Sequence, residues 1–396
     1  MVSPGTAVKR PKLLMACANY WGSPFQVGSH HLAQGFVKAG WEVAFVSDPI
    51  SPFHLAEGIS PELKERFRAY LQGGVSDLEG RLWAYVPATF LSPHNKPILR
   101  SEWVHRHWWS LSRPNVVRVV KAHGFGEVDL LYFDSVNQNF WLSQIVYKRS
   151  VFRLADSNAG FRKFTPAMKA LEKELATSVD AVAYAAKNLR SHVEQLNPKR
   201  SLHIPNGVDF AHFARPSPGV PPDLAGIPRP IAVYVGAMEA WFDFRLIEAT
   251  AAALPEVSFV LIGPDHLARR RLAAAPNLHL LGRRPYGELP RYLHHADVGL
   301  IPFDVNGHAE LVHSVNPLKL YEYLAAGLPV VATEWAELAS LGSPAELVGT
   351  EENFIEAIRR VVTQPVNRDR LRSYAAQAEW SERVTDLWRH LELDSL

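Results

Sequence analysis

The chain has 396 residues, 47% of them hydrophobic and 21% charged, with a formal net charge of +2. That length suits two domains of ordinary size, and so small a net charge gives no ground for a nucleic-acid partner. Its one cysteine, Cys17, excludes an intramolecular disulfide and fits a reducing compartment, and without a run of about 18 or more apolar residues no spanning helix is expected.

Residues 1–10 carry charge but no apolar core, so no leader peptide is expected. An apolar strand over 12–18, a loop with Gly22, Pro24 and Gly28, a helix over 30–39 stopped by Gly40 and a strand over 41–47 open a parallel α/β sheet. Further strands are predicted over 82–86, 130–133, 151–154, 181–184 and 201–204, and Thr165-Pro166 opens a helix with a cap and a first-turn proline. Residues 215–230 are dense in proline and glycine and read as an interdomain linker. The pattern then restarts with strands over 231–235, 257–262, 279–281, 298–302 and 328–332, and helices over 245–253, 289–295 and 317–326. Two doubly wound domains follow, 1–214 and 231–379. The segment 380–396 reads as a helix with Val384, Leu387, Trp388 and Leu391 on one stripe, packing on the body and crossing back to the first domain.

The stretch 314–333 is the most informative. Asn316 reads as an N-cap, Pro317 as the first helical residue and Gly327 as the stop. The N-terminus of such a helix offers free N–H groups and partial positive charge, Lys319 adds a full charge, and Glu322 lies one turn further on. A cation for phosphate and a carboxylate for sugar hydroxyls suit a nucleotide diphosphate; an ordinary capped helix is the plain alternative. Gly124-Phe125-Gly126 precedes a strand, which argues against a dinucleotide fingerprint, and no Walker lysine loop, His-Glu-x-x-His or Asp-x-Asp occurs. Without paired carboxylates for a divalent metal, neutralising a diphosphate falls to the helix N-terminus and Lys319.

With these pieces assembled, the chain resembles the GT-B glycosyltransferases, and more narrowly the xanthan-type glucuronosyltransferases and the teichuronic-acid glycosyltransferases. The resemblance rests on His30 at its helix start, Phe152-Arg-Leu-Ala-Asp-Ser157, Val235-Gly-Ala-Met-Glu-Ala-Trp-Phe-Asp243, Leu281-Gly-Arg-Arg-Pro-Tyr-Gly-Glu-Leu-Pro290, Gly299-Leu-Ile-Pro-Phe303 and Leu318-Lys-Leu-Tyr-Glu322, in order and spacing. It implies two Rossmann-like domains facing a cleft, with a UDP-sugar donor on the second and a lipid-linked glycan acceptor on the first. It implies no metal and no cofactor, and places the protein in the cytoplasm or at the inner face of the membrane. Glucuronate is the best guess for the sugar.

Asp156, at a strand end, matches the family's catalytic base; the alternative is a cap on the turn with Ser157 and Asn158. Donor-site residues under the resemblance are Gly236, Met238, Arg283, Phe303, Asn316, Pro317, Leu318, Lys319 and Glu322. Met238 suits core filling equally, and Phe303 a half-buried strand end. Acceptor contacts are His30, His31 and Asp134, the last of which could instead cap the following helix. A retaining family has a second glutamate eight residues before Glu322; here Ser314 stands there, which favours inversion. A retaining transferase, a sugar-nucleotide epimerase and a non-catalytic nucleotide-sugar binder are the rivals. Trp103, Trp108 and Trp109 among Arg106 and Arg113 suggest an interfacial helix on anionic lipid, or else core tryptophans with a wet basic face.

Overall fold

The computed structural model describes residues 10–56, 60–157, 164–216 and 219–393. The expectations for the first nine residues, the Asn158 turn partner, linker residues 217–218 and the last three residues lie outside these.

The first sheet has eight strands: β1 (Lys12–Cys17), β2 (Glu42–Ser47), β3 (Val75–Asp77), β4 (Leu82–Tyr85), β5 (Glu127–Phe133), β6 (Val146–Leu154), β7 (Ala181–Tyr184) and β8 (Ser201–His203). Their order is β3-β4-β2-β1-β5-β6-β7-β8, parallel except for β3 against β4. The pleat sends alternate residues of β1 to opposite faces. Leu14 and Ala16 enter one core, while Leu13, Met15 and Cys17 enter another on the far side. Both faces are covered, so β1 is apolar without interruption.

The second sheet holds β9 (Ile231–Val235), β10 (Ser258–Ile262), β11 (Leu278–Gly282), β12 (Val298–Ile301), β13 (Val330–Thr333) and β14 (Glu346–Val348), in the parallel order β11-β10-β9-β12-β13-β14. Strand order reverses beside β1 and β5 in the first sheet and beside β9 and β12 in the second, and ligands bind outside the carboxyl ends of strands at such points. β3 and β14 were not anticipated; each is three residues long and neither is buried, so no apolar run announces it.

The chain crosses between domains earlier than residue 215. Val208, Phe213 and Leu224 belong to the core of the second domain. Asp223 is tied to Arg284 and accepts a hydrogen bond from the Tyr292 hydroxyl at 2.9 Å, so this part of the expected linker is docked onto the second domain. The helix Trp380–His390 returns to the first domain, where Trp380, Val384 and Leu387 share a core with Leu32 and Phe36 of the helix Gly28–Lys38. A Cβ on Gly35 would lie 2.6 Å from Val384 Cγ2, so glycine sets how closely these helices approach.

Candidate active site

The helix Leu318–Ala325 starts one residue later than the sequence suggested. Pro317 takes the extended cap conformation, φ −79° and ψ 120°, and its carbonyl accepts from the Leu320 N–H at 3.1 Å. Asn316 is therefore not the cap: it is buried, and its own carbonyl accepts from Nδ2 of Asn206 at 2.6 Å. The helix nonetheless opens with the amides of Leu318 and Lys319, which have no intrahelical acceptor. Gly327, at φ +76°, ends it.

Lys319 is half-buried. Its Nζ lies 4.8 Å from the centre of the Phe303 ring and 5.5 Å from that of Tyr234, a cation–π seat between two aromatic faces. Burial lowers its pKa to about 8, against the opposing pull of Glu322 and Asp156. One turn on, burial raises Glu322 to about 7, with Lys319 working against the rise. Gly236 follows β9 at φ +150°; a Cβ there would stand 3.2 Å from Lys319 Cε and 3.0 Å from the Tyr234 hydroxyl. Both its conformation and the space it leaves suit glycine.

Two of the expected donor-site side chains are buried. Met238 is 0% exposed in the second-domain core. Phe303 is buried, stacked on Trp335 at 5.5 Å, and forms the floor under Lys319. Arg283, after β11, reaches the first domain: its guanidinium lies 5.1 Å from the centre of the Phe25 ring and 3.8 Å from the Glu62 carboxylate.

Asp156 sits two residues beyond the end of β6, half-buried. Burial raises its pKa, while Arg153 and Lys319 pull it down, so the proposed base and the donor-side cation are electrostatic neighbours across the domain boundary. Asp134 follows β5; its carboxylate accepts from the Ala18 N–H at 2.6 Å, and burial again raises it. The structure places His30 away from a free surface. It is 0% exposed, Nδ1 accepts from the Val27 N–H at 3.2 Å, and Nε2, which then carries the proton, donates to the Tyr20 carbonyl at 2.9 Å. The ring thus ties down the start of its helix. His31 is buried between domains, stacked on Trp380 at 5.2 Å and near Tyr286 at 5.5 Å; burial takes its pKa down to about 3.

Sequence reasoning overlooked three groups. Asp48, just beyond β2, accepts from Ser135 Oγ at 2.6 Å, Gln138 Nε2 at 3.1 Å and Asn137 Nδ2 at 3.2 Å, and burial raises it to about 6. The strand-end rule that picked out Asp134 applies equally to it. Arg153 is buried inside β6, and a cation in the run Val-Phe-Arg-Leu was itself a signal. The third group joins the domains. Asn188 Nδ2 donates to the His313 carbonyl at 2.8 Å, the Ser157 N–H to Ser314 Oγ at 3.3 Å, and Asn206 to Asn316. The segment leading into the Leu318 helix is gripped from the first domain at three points.

A cavity of about 990 Å³ lies between Tyr20, Trp21 and Glu62 of the first domain and Arg283 and Tyr286 of the second. Asp156 and Lys319 do not line it.

The membrane reading is corrected for two side chains. Trp108 is 0% exposed, and its indole N–H donates to the Asn137 carbonyl at 2.7 Å, so it belongs to the core. Arg106 is engaged by Glu102 at 2.8 Å and Glu174 at 2.7 Å. Trp109 stacks on Phe140, whereas Trp103 is 54% exposed and Arg113 is exposed. Among the described residues no helix is long and apolar enough to cross a membrane.

Two parallel-sheet domains with their switch points turned to one cleft, and a last helix returned to the first domain, make the GT-B fold. Solved structures carry the same architecture. Anabaena HepE in complex with UDP and glucose aligns with TM-score 0.64 at 17% identity, over 97% of this chain and 100% of that one. Sucrose-phosphate synthase from Thermosynechococcus elongatus aligns with TM-score 0.63 at 17% identity, over 98% and 97%. Residues 15–185 match the family "Glucuronosyltransferase GumK, N-terminal domain", and residues 229–364 match "Glycosyl transferases group 1". The chain therefore carries the paired domains of a GT-B glycosyltransferase. TuaH of Bacillus subtilis (strain 168), named as a glycosyltransferase of teichuronic acid biosynthesis, is 25% identical over 231 residues, 54% of this chain. The match spans 57% of TuaH's length.

Proposed function

We propose that this chain transfers a sugar from a UDP-sugar, with UDP-glucuronate the first candidate, to a hydroxyl of a lipid-linked glycan during exopolysaccharide or cell-wall polysaccharide synthesis. The observation that carries the reading is that the N–H of Ser157, next to Asp156, donates to Ser314 Oγ at 3.3 Å, so the strand end bearing the carboxylate meets the segment leading into the Lys319 helix. The match of the first domain to a glucuronosyltransferase family supports the choice of sugar, and TuaH's name supports the polysaccharide context. The UDP held by HepE supports the donor class.

In this reading Asp156 accepts the proton of the acceptor hydroxyl as its oxygen attacks the anomeric carbon. The bond from that carbon to the β-phosphate oxygen breaks, and UDP leaves with the bonding pair. The amides of Leu318 and Lys319 and the Lys319 ammonium meet the negative charge that develops there. Glu322 accepts hydrogen bonds from the ribose hydroxyls. A single displacement inverts the anomeric centre, in keeping with serine at position 314. The acceptor's lipid brings the enzyme to the inner face of the membrane.

The test is a panel of UDP-sugars incubated with membrane extract, with and without chelator. UDP release that requires the extract, survives chelation and yields a product of inverted configuration supports the reading. Isomerised donor without an acceptor, or binding without turnover, contradicts it.

A further inference from the structure

We propose that Arg153 and Asn206 are positioning residues for this transfer, setting the gap between the Asp156 carboxylate and the Leu318–Ala325 helix when the cleft is shut. The inference rests on the reading of Asp156 as the base. Arg153 lies in β6, three residues before Asp156, and among the described residues no carboxylate comes within ion-pair distance of it. Its Nη2 donates to Oδ1 of Asn206 at 2.6 Å. A guanidinium can only donate, so it fixes which way the amide points. With Oδ1 turned to the arginine, the NH₂ group must face the other way. There it donates to the Asn316 carbonyl at 2.6 Å.

That carbonyl belongs to the residue before Pro317, where the chain has little freedom. Arg153, Asn206 and Asn316 are all under 10% exposed, so water is a poor substitute for any of these bonds. The Asn188 and Ser157 contacts to the same segment begin on exposed and half-buried residues, which leaves the Asn206 bond as the buried one. The strand that carries the base thus also dictates, through one oriented amide, where the donor helix begins. A displacement of about 1 Å between reacting groups can cost on the order of 100-fold in rate. The charged groups that act on Asp156 are Arg153 of β6 and Lys319 on the helix, and Arg153 acts on Asp134 as well.

Three variants test the inference in the full-length protein. Asn206→Asp keeps an acceptor for Arg153 but has no N–H for the Asn316 carbonyl, so it breaks only the second bond. The expected result is a kcat for UDP release from UDP-glucuronate, or from whichever UDP-sugar the panel selects, lowered about tenfold or more, with the Kd for UDP within about twofold. Arg153→Met removes the charge as well. It should shift the acid limb of the rate profile to higher pH, while Arg153→Lys leaves the limb in place. A kcat within about twofold of wild type for Asn206→Asp, or an unmoved limb in Arg153→Met, overturns the inference alone. A wild-type protein that releases UDP from no UDP-sugar overturns the underlying reading and the inference with it.

Discussion

Lys319 and Asp156 lie on different domains, and each shifts the other's proton equilibrium: the lysine lowers the carboxyl pKa and the carboxylate raises the ammonium pKa. Burial opposes both effects and is the larger cause for each. The closed cleft therefore holds an opposed pair of charges with a weakened commitment to being charged. A donor diphosphate at the helix N-terminus would restore the lysine's, and an attacking hydroxyl would use the carboxylate's.

Asp156→Asn removes the proposed base without changing shape. Transfer should fall about 10²–10⁴-fold while the Kd for UDP, measured by calorimetry, stays unchanged. In the wild type, burial raises the Asp156 pKa, so kcat should rise with pH through a limb above the ordinary carboxylate range. The asparagine variant's residual rate should lack that limb.

On the proposed reading, Lys319 should make UDP affinity depend on pH. In the free protein its pKa is lowered to about 8, and a bound diphosphate would raise it. Binding then takes up a proton, so the Kd should be flat below about pH 8 and weaken above it. Lys319→Arg cannot lose its charge in this range, and its Kd should stay flat to about pH 10. Parallel curves for the two proteins would dissociate Lys319 from the phosphate.

Gly236→Ala adds a methyl group against Lys319 Cε and forces a side chain into a positive-φ conformation. The strain should cost on the order of 1–3 kcal/mol, read as a lower denaturation midpoint. The donor KM should rise together with it.

Substitutions at Trp103 and Trp108 test the expected membrane contact apart from folding. Trp108→Ala should cost about 3–5 kcal/mol, because it empties a core site. Trp103→Ala should leave stability within about 0.5 kcal/mol and reduce sedimentation with anionic vesicles. Unchanged vesicle binding by the Trp103 variant would remove this segment from the membrane contact.

Much of the fold was legible because its signals are local. The apolar runs of β1 and β9, the Gly40 and Gly327 stops and the amphipathic stripe of the Trp380 helix each follow from a few neighbouring residues. Lys319 and Glu322 were legible for the same reason, one helical turn apart. Trp108 misled because its basic neighbours resemble an interfacial helix, while the contact that decides its fate, the Asn137 carbonyl, lies far along the chain. Asp48 and Arg153 were missed because their meaning depends on strand order and on the approach of the second domain. Asn316 kept its importance but changed its role: its carbonyl is a tertiary acceptor, and Pro317 takes the cap.

The central claim is that the diphosphate of the donor rests on the amino end of the Leu318–Ala325 helix, facing Asp156. A crystal structure of the protein with UDP tests it most directly. The β-phosphate should lie within about 3 Å of the Leu318 or Lys319 amide, with the Lys319 ammonium in contact. A β-phosphate seated elsewhere in the cleft, with Lys319 still packed on Phe303 and clear of the nucleotide, would contradict it.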